Sequence, residues 1–304
     1  MHGGILHVNH IKDQIHCERA YRMGLSGKGI GVAVLDTGIF LHRDFDSRVT
    51  GFADMVNRRN FAYDDCGHGT HICGIIGGSG RMSGGRYSGI APGCNLIMVK
   101  VLDRKGNGYS SDVLAGISWV LERKEQLGIR ILNISVGACS KRGMSENSAL
   151  VKGVNRAWDA GLVVVVAAGN NGPRTMSITT PGISRKVITV GCSDDDREVL
   201  VGGNRMVDYS GRGPTAACIC KPDLVAPGCS VVSCSSRADK YTIKSGTSMS
   251  TPIVSGAVAL LLERFPDMSN KDVKLRLRES SVDIGLPRNQ QGWGLLNVEK
   301  MIGK

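Results

Sequence analysis

The sequence has no long apolar run and few aromatic residues. No stretch reaches the roughly 18 apolar residues that a membrane-spanning helix needs, and the strongest run, 162–168, fits a buried strand instead. Aromatic residues make up 5% of the 304 residues, against 41 glycines. We therefore expect no membrane partner, and many tight turns and close backbone approaches instead of an aromatic recognition surface.

The sequence also begins without the basic segment and apolar stretch that form an export signal. The ten cysteines are even in number, but in a chain of this size without a signal they fit reduced thiols better than a disulfide framework. These features predict a cytoplasmic protein. A secreted protein remains the alternative, if the sequence is a mature fragment that has lost its signal.

Neither the cysteine spacing nor the charge indicates a further partner. The segment Cys218-Ile-Cys220 is followed by Cys229 and Cys234, which is not the usual spacing of a zinc site. The net charge of +11 is spread along the chain, and the densest basic stretch, 271–278, is typical of the solvated face of a helix. We expect no nucleic-acid binding, and the sequence does not predict the oligomeric state.

Short apolar runs alternate with helical stretches along the chain, which predicts an α/β fold. The runs are 30–35, 95–101, 129–136, 162–168 and 187–190, and the helical stretches include 111–127 and 148–160. This alternation favours a mostly parallel sheet between two layers of helices, with functional groups at the carboxyl ends of the strands. Without a linker or repeat, the simplest division is a short N-terminal extension over 1–25 and one catalytic domain over 26–304.

Three polar residues lie where such a fold displays functional groups. Asp36 follows the apolar run 30–35, and His68 lies between two glycines. Ser248 lies at the start of a long apolar helix, where unpaired N–H groups would stabilise an oxyanion. Each has a structural alternative: a turn aspartate, a structural histidine and a helix cap. Together they contain what a serine nucleophile requires, a histidine that accepts its proton and a carboxylate that orients the histidine.

The segments around these residues resemble the three signature segments of the subtilase family, in the same order. They are Val34–Gly38, His68–His71 with Gly74, and Gly246–Pro252, and the resemblance covers about residues 25 to 300. It implies a subtilisin-like fold and a serine endopeptidase that needs no cofactor for its chemistry. The alternatives are a peptide ligase of the same fold and a catalytically silent peptide-binding module.

The resemblance also implies roles for individual residues. Asp36 orients His68, which acts as general base and acid, and Ser248 forms an acyl-enzyme. The segment 166–172 matches the family segment whose asparagine, here Asn170, donates to the oxyanion. The alternative for an asparagine at this place is a left-handed turn, which suits Asn171 better.

The implied partner is a protein or peptide substrate that adds a strand between two backbone segments. These segments comprise Gly106, Asn107, Gly108 and Tyr109 on one side, and Ser135, Val136 and Gly137 on the other. The pocket for the residue before the scissile bond would be lined by Ala138, Ala168, Gly169 and Thr179, with Thr179 at its floor. Such small residues predict a roomy pocket for apolar or bulky side chains.

Two family features are less well matched. Asp44 matches a ligand of the family's strong calcium site, but the accompanying loop 77–86 has no carboxylate and two arginines, so a structural calcium ion stays open. The 25 residues before the domain are too short for the folding propeptide of exported members. This shortness, with segments 54–57 and 63–68, resembles the intracellular bacterial subtilases.

Overall fold

A computed structural model describes residues 8–137 and 146–303. Its helices are α1 Val8–Gln14, α2 Glu18–Arg22, α3 His68–Gly77, α4 Ser110–Arg123, α5 Ala149–Asp159, α6 Thr247–Arg264, α7 Asn270–Ser280, α8 Arg288–Gln291 and α9 Val298–Ile302. Its strands are β1 Gly31–Asp36, β2 Val49–Asp54, β3 Asn95–Lys100, β4 Ile129–Ile134, β5 Val163–Ala167, β6 Ile188–Cys192, β7 Val199–Val201, β8 Asn204–Met206, β9 Leu224–Ala226, β10 Val231–Cys234 and β11 Tyr241–Lys244.

Seven of these strands form one parallel sheet in the order β2-β3-β1-β4-β5-β6-β9. The central strands β1 and β5 are buried at every position, as expected of strands covered on both faces. Strand β1 is paired on both sides, and its last residue, Asp36, lies opposite Lys100 of β3. The carboxyl end of β1 is therefore near the middle of the sheet edge, where parallel α/β sheets hold their active sites.

Helices cover both faces of the sheet. Neighbouring strand residues point to opposite faces: a Cβ on Gly69 of α3 would meet Met98, whereas one on Gly116 of α4 would meet Val99. Helices α3 and α6 pack together on one face, and α4 packs with α5 on the other. The predicted three-layer α/β/α fold is confirmed.

Helix α6 is the central helix of the core. Every residue from Met249 to Leu262 is buried, because the segment is built from small and aliphatic side chains. Its proline, Pro252, lies in the second turn, close to the start where a missing N–H costs least. The helix contacts β4, β5 and β6 as well as α3. This packing fixes the position of the residues at its first turn.

The N-terminal stretch packs into the same core as the rest of the chain. The sequence predicts one short helix around 11–23, and the structure divides it into α1 and α2 at His16, whose φ is +56°. Ile11 and Ile15 are fully buried, and the N–H of Val298 donates to the carbonyl of Ile15 at 2.8 Å. The predicted extension thus contributes apolar side chains to the same core as the rest of the chain.

Within residues 8–137 and 146–303, no helix has the length and apolar character needed to cross a bilayer.

Candidate active site

Asp36 and His68 form a closely hydrogen-bonded pair at the carboxyl end of β1. His68 Nδ1 lies 2.7 Å from Asp36 Oδ1 and 2.9 Å from Oδ2. The Asp36 carboxylate is fully buried and also accepts the N–H of Thr37 at 2.7 Å, whereas the His68 side chain is 23% exposed. Because Nδ1 faces the carboxylate, it carries the proton in the neutral ring, and Nε2 is the unprotonated nitrogen.

The surroundings of His68 raise its pKa above the usual 6.5. Burial, the largest effect, acts to lower this pKa, but the charge of Asp36 and its hydrogen bond together outweigh burial. The charge of Lys244 opposes Asp36, and that of Asp64 adds to it. The imidazolium form is therefore stabilised, which is what a base that takes a proton from a hydroxyl requires.

The loop that holds His68 is organised by Asp64, a residue that sequence reasoning did not single out. Asp64 Oδ1 accepts the N–H of Cys66 at 3.1 Å and that of Gly67 at 2.7 Å, together with the Thr37 hydroxyl at 2.9 Å. Asp64 Oδ2 accepts the N–H and the hydroxyl of Thr70, at 2.9 and 2.6 Å. One carboxylate thus links the residue after Asp36 to the first turn of α3, which begins at His68.

Ser248 is the second residue of α6. The preceding Gly246 has a φ of +139°, a conformation that favours glycine, so the chain can turn directly from β11 into the helix. The Ser248 hydroxyl donates to the carbonyl of Ser135, with 2.7 Å between the two oxygens. The Ser248 hydroxyl therefore faces the strand end after β4.

Asn170 is held in place by the residue before the serine. Its Oδ1 accepts both the N–H and the hydroxyl of Thr247, each at 3.0 Å. The Asn170 amide nitrogen is therefore the end of the side chain that is turned away from Thr247. The left-handed residue in this segment is Gly169, with φ +91°, and neither Asn170 nor Asn171 has a positive φ.

Three of the four predicted catalytic residues line one cleft with most of the predicted substrate-binding residues, while the fourth, Asp36, is fully buried. His68, Ser248 and Asn170 line it together with Gly106, Ser135, Val136, Gly137, Gly169 and Thr179. Asn107 and Gly108 line an adjoining hollow that also reaches Val136 and Gly137. The structure therefore brings together residues from 68 to 248, which are distant in sequence.

Comparison with known proteins shows the family of the chain. The model of the subtilase family matches residues 27–294. The chain belongs to the subtilase family. It is 42% identical over 285 residues to "Serine protease AprX" of Bacillus subtilis (strain 168), a match that covers 88% of this chain and 64% of that protein. It is 33% identical to "Subtilisin DY" of Bacillus licheniformis, covering 94% of this chain and 95% of that one.

Solved structures extend the likeness to three dimensions. The "Sphericase" structure superposes with a TM-score of 0.76 and 31% sequence identity, covering 90% of this chain and 93% of that one. The chain belongs to the serine proteases of peptidase family S8, as the sequence motifs predict, and the relatives named here are bacterial. The chain spans about two thirds of the AprX relative's length, 64%.

Two predicted cleft residues line neither hollow. Ala168 is fully buried, and its carbonyl accepts the N–H of Thr179 at 2.9 Å, so the neighbouring Ala167 lines the cleft in its place. Tyr109 is 78% exposed next to the start of α4 and lines neither hollow. Ala138 lies outside the described residues.

Thr179 lies between the two walls of the predicted pocket. A Cβ built on Gly137 or on Gly169 would collide with the Thr179 side chain, whose hydroxyl donates to the carbonyl of Ala168 at 3.3 Å. Thr179 itself is 4% exposed. The glycines on both walls therefore accommodate this threonine, and its side chain occupies part of the space that a substrate side chain would enter.

The surroundings of Asp44 do not fit a calcium ion. Its two carboxylate oxygens accept the N–H of Met82 at 2.9 Å and the hydroxyl of Tyr241 at 2.7 Å. A calcium ligand would instead need oxygen neighbours that also face the ion. In this subtilase the carboxylate is satisfied by hydrogen-bond donors.

The guanidinium of Arg48 takes the carbonyl groups beside Asp44. Its Nη1 donates to the carbonyl of Gly77 at 2.5 Å, and its Nη2 donates to that of Asp44 at 2.6 Å. Of these acceptors, Gly77 begins the loop 77–86, which has the two arginines noted in the sequence. A cationic side chain therefore already binds the backbone carbonyls of Asp44 and of the residue at the start of this loop.

Lys100 is a further buried charge near the site. Its ammonium group is fully buried and donates to the carbonyls of Thr37 and Leu102, at 2.6 and 2.8 Å, and to Asp65 at 2.7 Å. It therefore ties the residue after Asp36 to the end of β3. The position of Lys100 within an apolar run of the sequence does not indicate this role, because its acceptors come from three separate loops.

Proposed function

We propose that this subtilase hydrolyses peptide bonds as an endopeptidase, through an acyl-enzyme on Ser248. The single observation that carries the proposal is that His68, hydrogen-bonded to the buried Asp36, shares one cleft with Ser248 at a helix start and with Asn170 fixed by Thr247. An oriented base, a hydroxyl and an amide donor are the groups that acyl transfer requires. The same groups match the family signature residue by residue.

Substrate binding would release the nucleophile. An extended peptide that adds a strand beside 135–137 presents a backbone N–H to the carbonyl of Ser135. That carbonyl now accepts the Ser248 hydroxyl at 2.7 Å. Once the peptide N–H takes this acceptor, the hydroxyl turns to Nε2 of His68, which removes its proton as Ser248 Oγ attacks the carbonyl carbon.

The developing oxyanion would be stabilised from two sides. The first N–H groups of α6 are unpaired within the helix, and the positive end of the helix dipole lies there. The amide nitrogen of Asn170 supplies a second donor, and loss of one such donor typically costs about 10²–10³ in rate. His68 then passes its proton to the leaving amine, and a water molecule, deprotonated by His68, hydrolyses the ester.

The substrate class is a protein or peptide in extended form, with an apolar side chain before the scissile bond. The backbone of Gly106–Gly108 and Ser135–Gly137 borders the cleft on its two sides. The sequence predicts apolar or bulky residues in the pocket, and the position of Thr179 between Gly137 and Gly169 limits how deep such a residue reaches. We therefore infer a preference for apolar residues, with size controlled by Thr179.

The proposal extends to the cofactor, the partners and the cellular location of the protein. The proposed chemistry uses side chains and backbone groups and calls for no cofactor, and we propose neither a nucleic-acid nor a membrane partner. In the described part of the chain all nine cysteines are free thiols, which suits a reducing cytoplasm. Secretion is the alternative location if a leader precedes this sequence.

A peptide library tests the function. Mass spectrometry of the products should show internal cleavage after apolar residues by the wild type and none by Ser248→Ala. A requirement for Asp or Arg before the cut would contradict the pocket proposal. New amide bonds between peptides would indicate a ligase, and binding without any product would indicate a silent binding module.

A further inference from the structure

A cluster of two thiols and a carboxylate lies outside the catalytic machinery. Cys192 ends β6, Asp194 follows two residues later, and Cys229 lies between β9 and β10. One sulfur or oxygen atom from each of the three lies within 4.8 Å of the others. Both cysteines are fully buried, whereas the Asp194 side chain is 13% exposed.

Tyr209 joins the two sulfurs. Its hydroxyl lies 3.2 Å from Cys192 Sγ and 3.1 Å from Cys229 Sγ. Cys192 Sγ in turn lies 3.1 Å from Asp194 Oδ1. Four polar atoms from three separate segments therefore surround one small volume. A buried cysteine usually acts only as a small apolar side chain, whereas these two thiols face polar neighbours.

We propose that Cys192, Cys229 and Asp194 form a binding site for a thiophilic divalent cation of the zinc class. Zinc binds sulfur at about 2.3 Å and carboxylate oxygen at about 2.0–2.2 Å in a tetrahedron, so its ligand atoms lie roughly 3.3–3.8 Å apart. The present spread of up to 4.8 Å requires movements of about 1 Å or less. The Tyr209 hydroxyl borders the fourth position.

The donor set distinguishes this site from a site for a hard cation. Two sulfurs and one oxygen favour zinc and its soft relatives over calcium or magnesium. On binding, two S–H bonds break, two protons pass to solvent and two sulfur–metal bonds form. The two thiolates and the carboxylate then carry three negative charges, which the metal and the guanidinium of Arg197 balance.

Arg197 also marks the entrance. It lies 3.1 Å from Asp194 Oδ2, and its side chain is 45% exposed. The guanidinium covers the partly exposed carboxylate and would turn outward as a cation enters. The other contacts of Asp194 Oδ1, the N–H groups of Gly228 and Cys229 at 2.7 and 3.1 Å, hold the carboxylate in place.

A buried hydroxyl without a partner lies beside the cluster. Ser250 Oγ has no hydrogen-bond partner in the described part of the chain. A Cβ built on Gly228 would collide with this hydroxyl and would lie 2.9 Å from Cys192 Sγ. The hydroxyl and the sulfur therefore border the same point, and the hydroxyl offers a polar neighbour to an incoming hydrated ion.

The other thiol clusters are less suitable. His42, Asp44 and Cys234 also lie close together, but Nδ1 of His42 accepts the N–H of Asp44 and its Nε2 faces the carbonyl of Lys240. Cys218 and Cys220, which the sequence groups with Cys229, are exposed while Cys229 is buried. The structure thus pairs Cys229 with Cys192 instead.

The test is metal binding by the reduced full chain, using Zn²⁺ for stoichiometry and Co²⁺ for its thiolate absorption. The wild type should bind one ion per chain, show a sulfur-to-cobalt charge-transfer band and unfold at a higher temperature with Zn²⁺. Cys192→Ser and Cys229→Ser should each lose the band and the thermal shift. The matched control, the double variant Cys218→Ser with Cys220→Ser, should keep both.

Three outcomes would overturn the proposal. One is the absence of any thiolate band in the wild type. Another is a band that survives in Cys229→Ser and disappears in Cys66→Ser, which would place the ion beside His68. The third is a Cys192–Cys229 disulfide that forms in air and resists mild reductant while no ion binds. Substitution by serine tests binding in a folded chain if far-ultraviolet circular dichroism is unchanged.

Discussion

The hydroxyl of Ser248 donates to the backbone carbonyl of Ser135, 2.7 Å away. The nucleophile is therefore hydrogen-bonded to the strand end that borders the substrate cleft. At the same time His68 is oriented by Asp36 through Nδ1, so its base nitrogen is ready. A bound peptide would therefore bring the hydroxyl and the base together.

The pH profile should report the raised pKa of His68. The neutral imidazole is the active form, so kcat/KM should rise with pH through an apparent pKa above 6.5, because Asp36 stabilises the imidazolium. Asp36→Asn should lower that pKa and reduce kcat by about 10⁴. Nuclear magnetic resonance titration of the His68 ring in Ser248→Ala, with and without Asp36→Asn, checks the shift directly. An equal midpoint in both proteins would contradict the assignment.

Asp64→Asn should destabilise the protein and slow its catalysis. Its carboxylate accepts five hydrogen bonds from Thr37, Cys66, Gly67 and Thr70, and an amide can keep some of them at best. We expect a loss of about 2–4 kcal/mol in the free energy of unfolding and a fall in kcat of roughly 10–100-fold. Denaturant melts and steady-state kinetics measure both.

The matched control is Asp267→Asn at an exposed aspartate. It should leave stability and kcat close to the wild-type values. An Asp64→Asn protein with normal kcat would show that the loop before α3 does not need this carboxylate to position His68.

The sequence predicts the chemistry better than the supporting contacts. Continuous apolar runs identify the buried strands, and the segments around Asp36, His68 and Ser248 predict an orienting group, a base and a nucleophile. Asp64 and Lys100 escape detection, since their importance depends on carbonyl and N–H groups brought together by folding. The edge strands β2 and β9 are also missed, because β2 is only partly buried and β9 has three residues.

The expected calcium site shows a second limit of prediction from the sequence. Asp44 keeps the position of a metal ligand, and the sequence alone leaves the ion open. The contacts that satisfy Asp44 come from Tyr241 and Met82, one of them almost 200 residues away. Hydrogen-bond donors that come from such distant parts of the chain leave no pattern in the sequence around Asp44.

Thermal unfolding should be insensitive to chelation. Because Arg48 occupies the carbonyls of Gly77 and Asp44, we expect the same Tm with excess EDTA and with millimolar calcium. Arg48→Ala should lower the free energy of unfolding by about 2–4 kcal/mol, since buried carbonyls lose their donors. Arg43→Ala, at a side chain 72% exposed, is the control and should be nearly neutral. A large fall in Tm in EDTA would contradict the conclusion that the surroundings of Asp44 do not fit a calcium ion.

Thr179→Gly should enlarge the substrate pocket. The threonine side chain lies between Gly137 and Gly169, so its removal opens space for larger side chains before the scissile bond. We expect the kcat/KM ratio for phenylalanine over alanine peptides to rise by about tenfold or more. Thr215→Gly, at a threonine in a different loop, should leave that ratio unchanged. An unchanged ratio in Thr179→Gly would place the pocket elsewhere.

The most direct test of the central claim is the site and rate of labelling by a fluorophosphonate. Peptide mapping by mass spectrometry should find one adduct per chain on Ser248 in the wild type, no adduct in Ser248→Ala, and labelling at least about 10³-fold slower in His68→Ala. An adduct on the neighbouring Ser250, or equal labelling rates in the wild type and His68→Ala, would contradict the account.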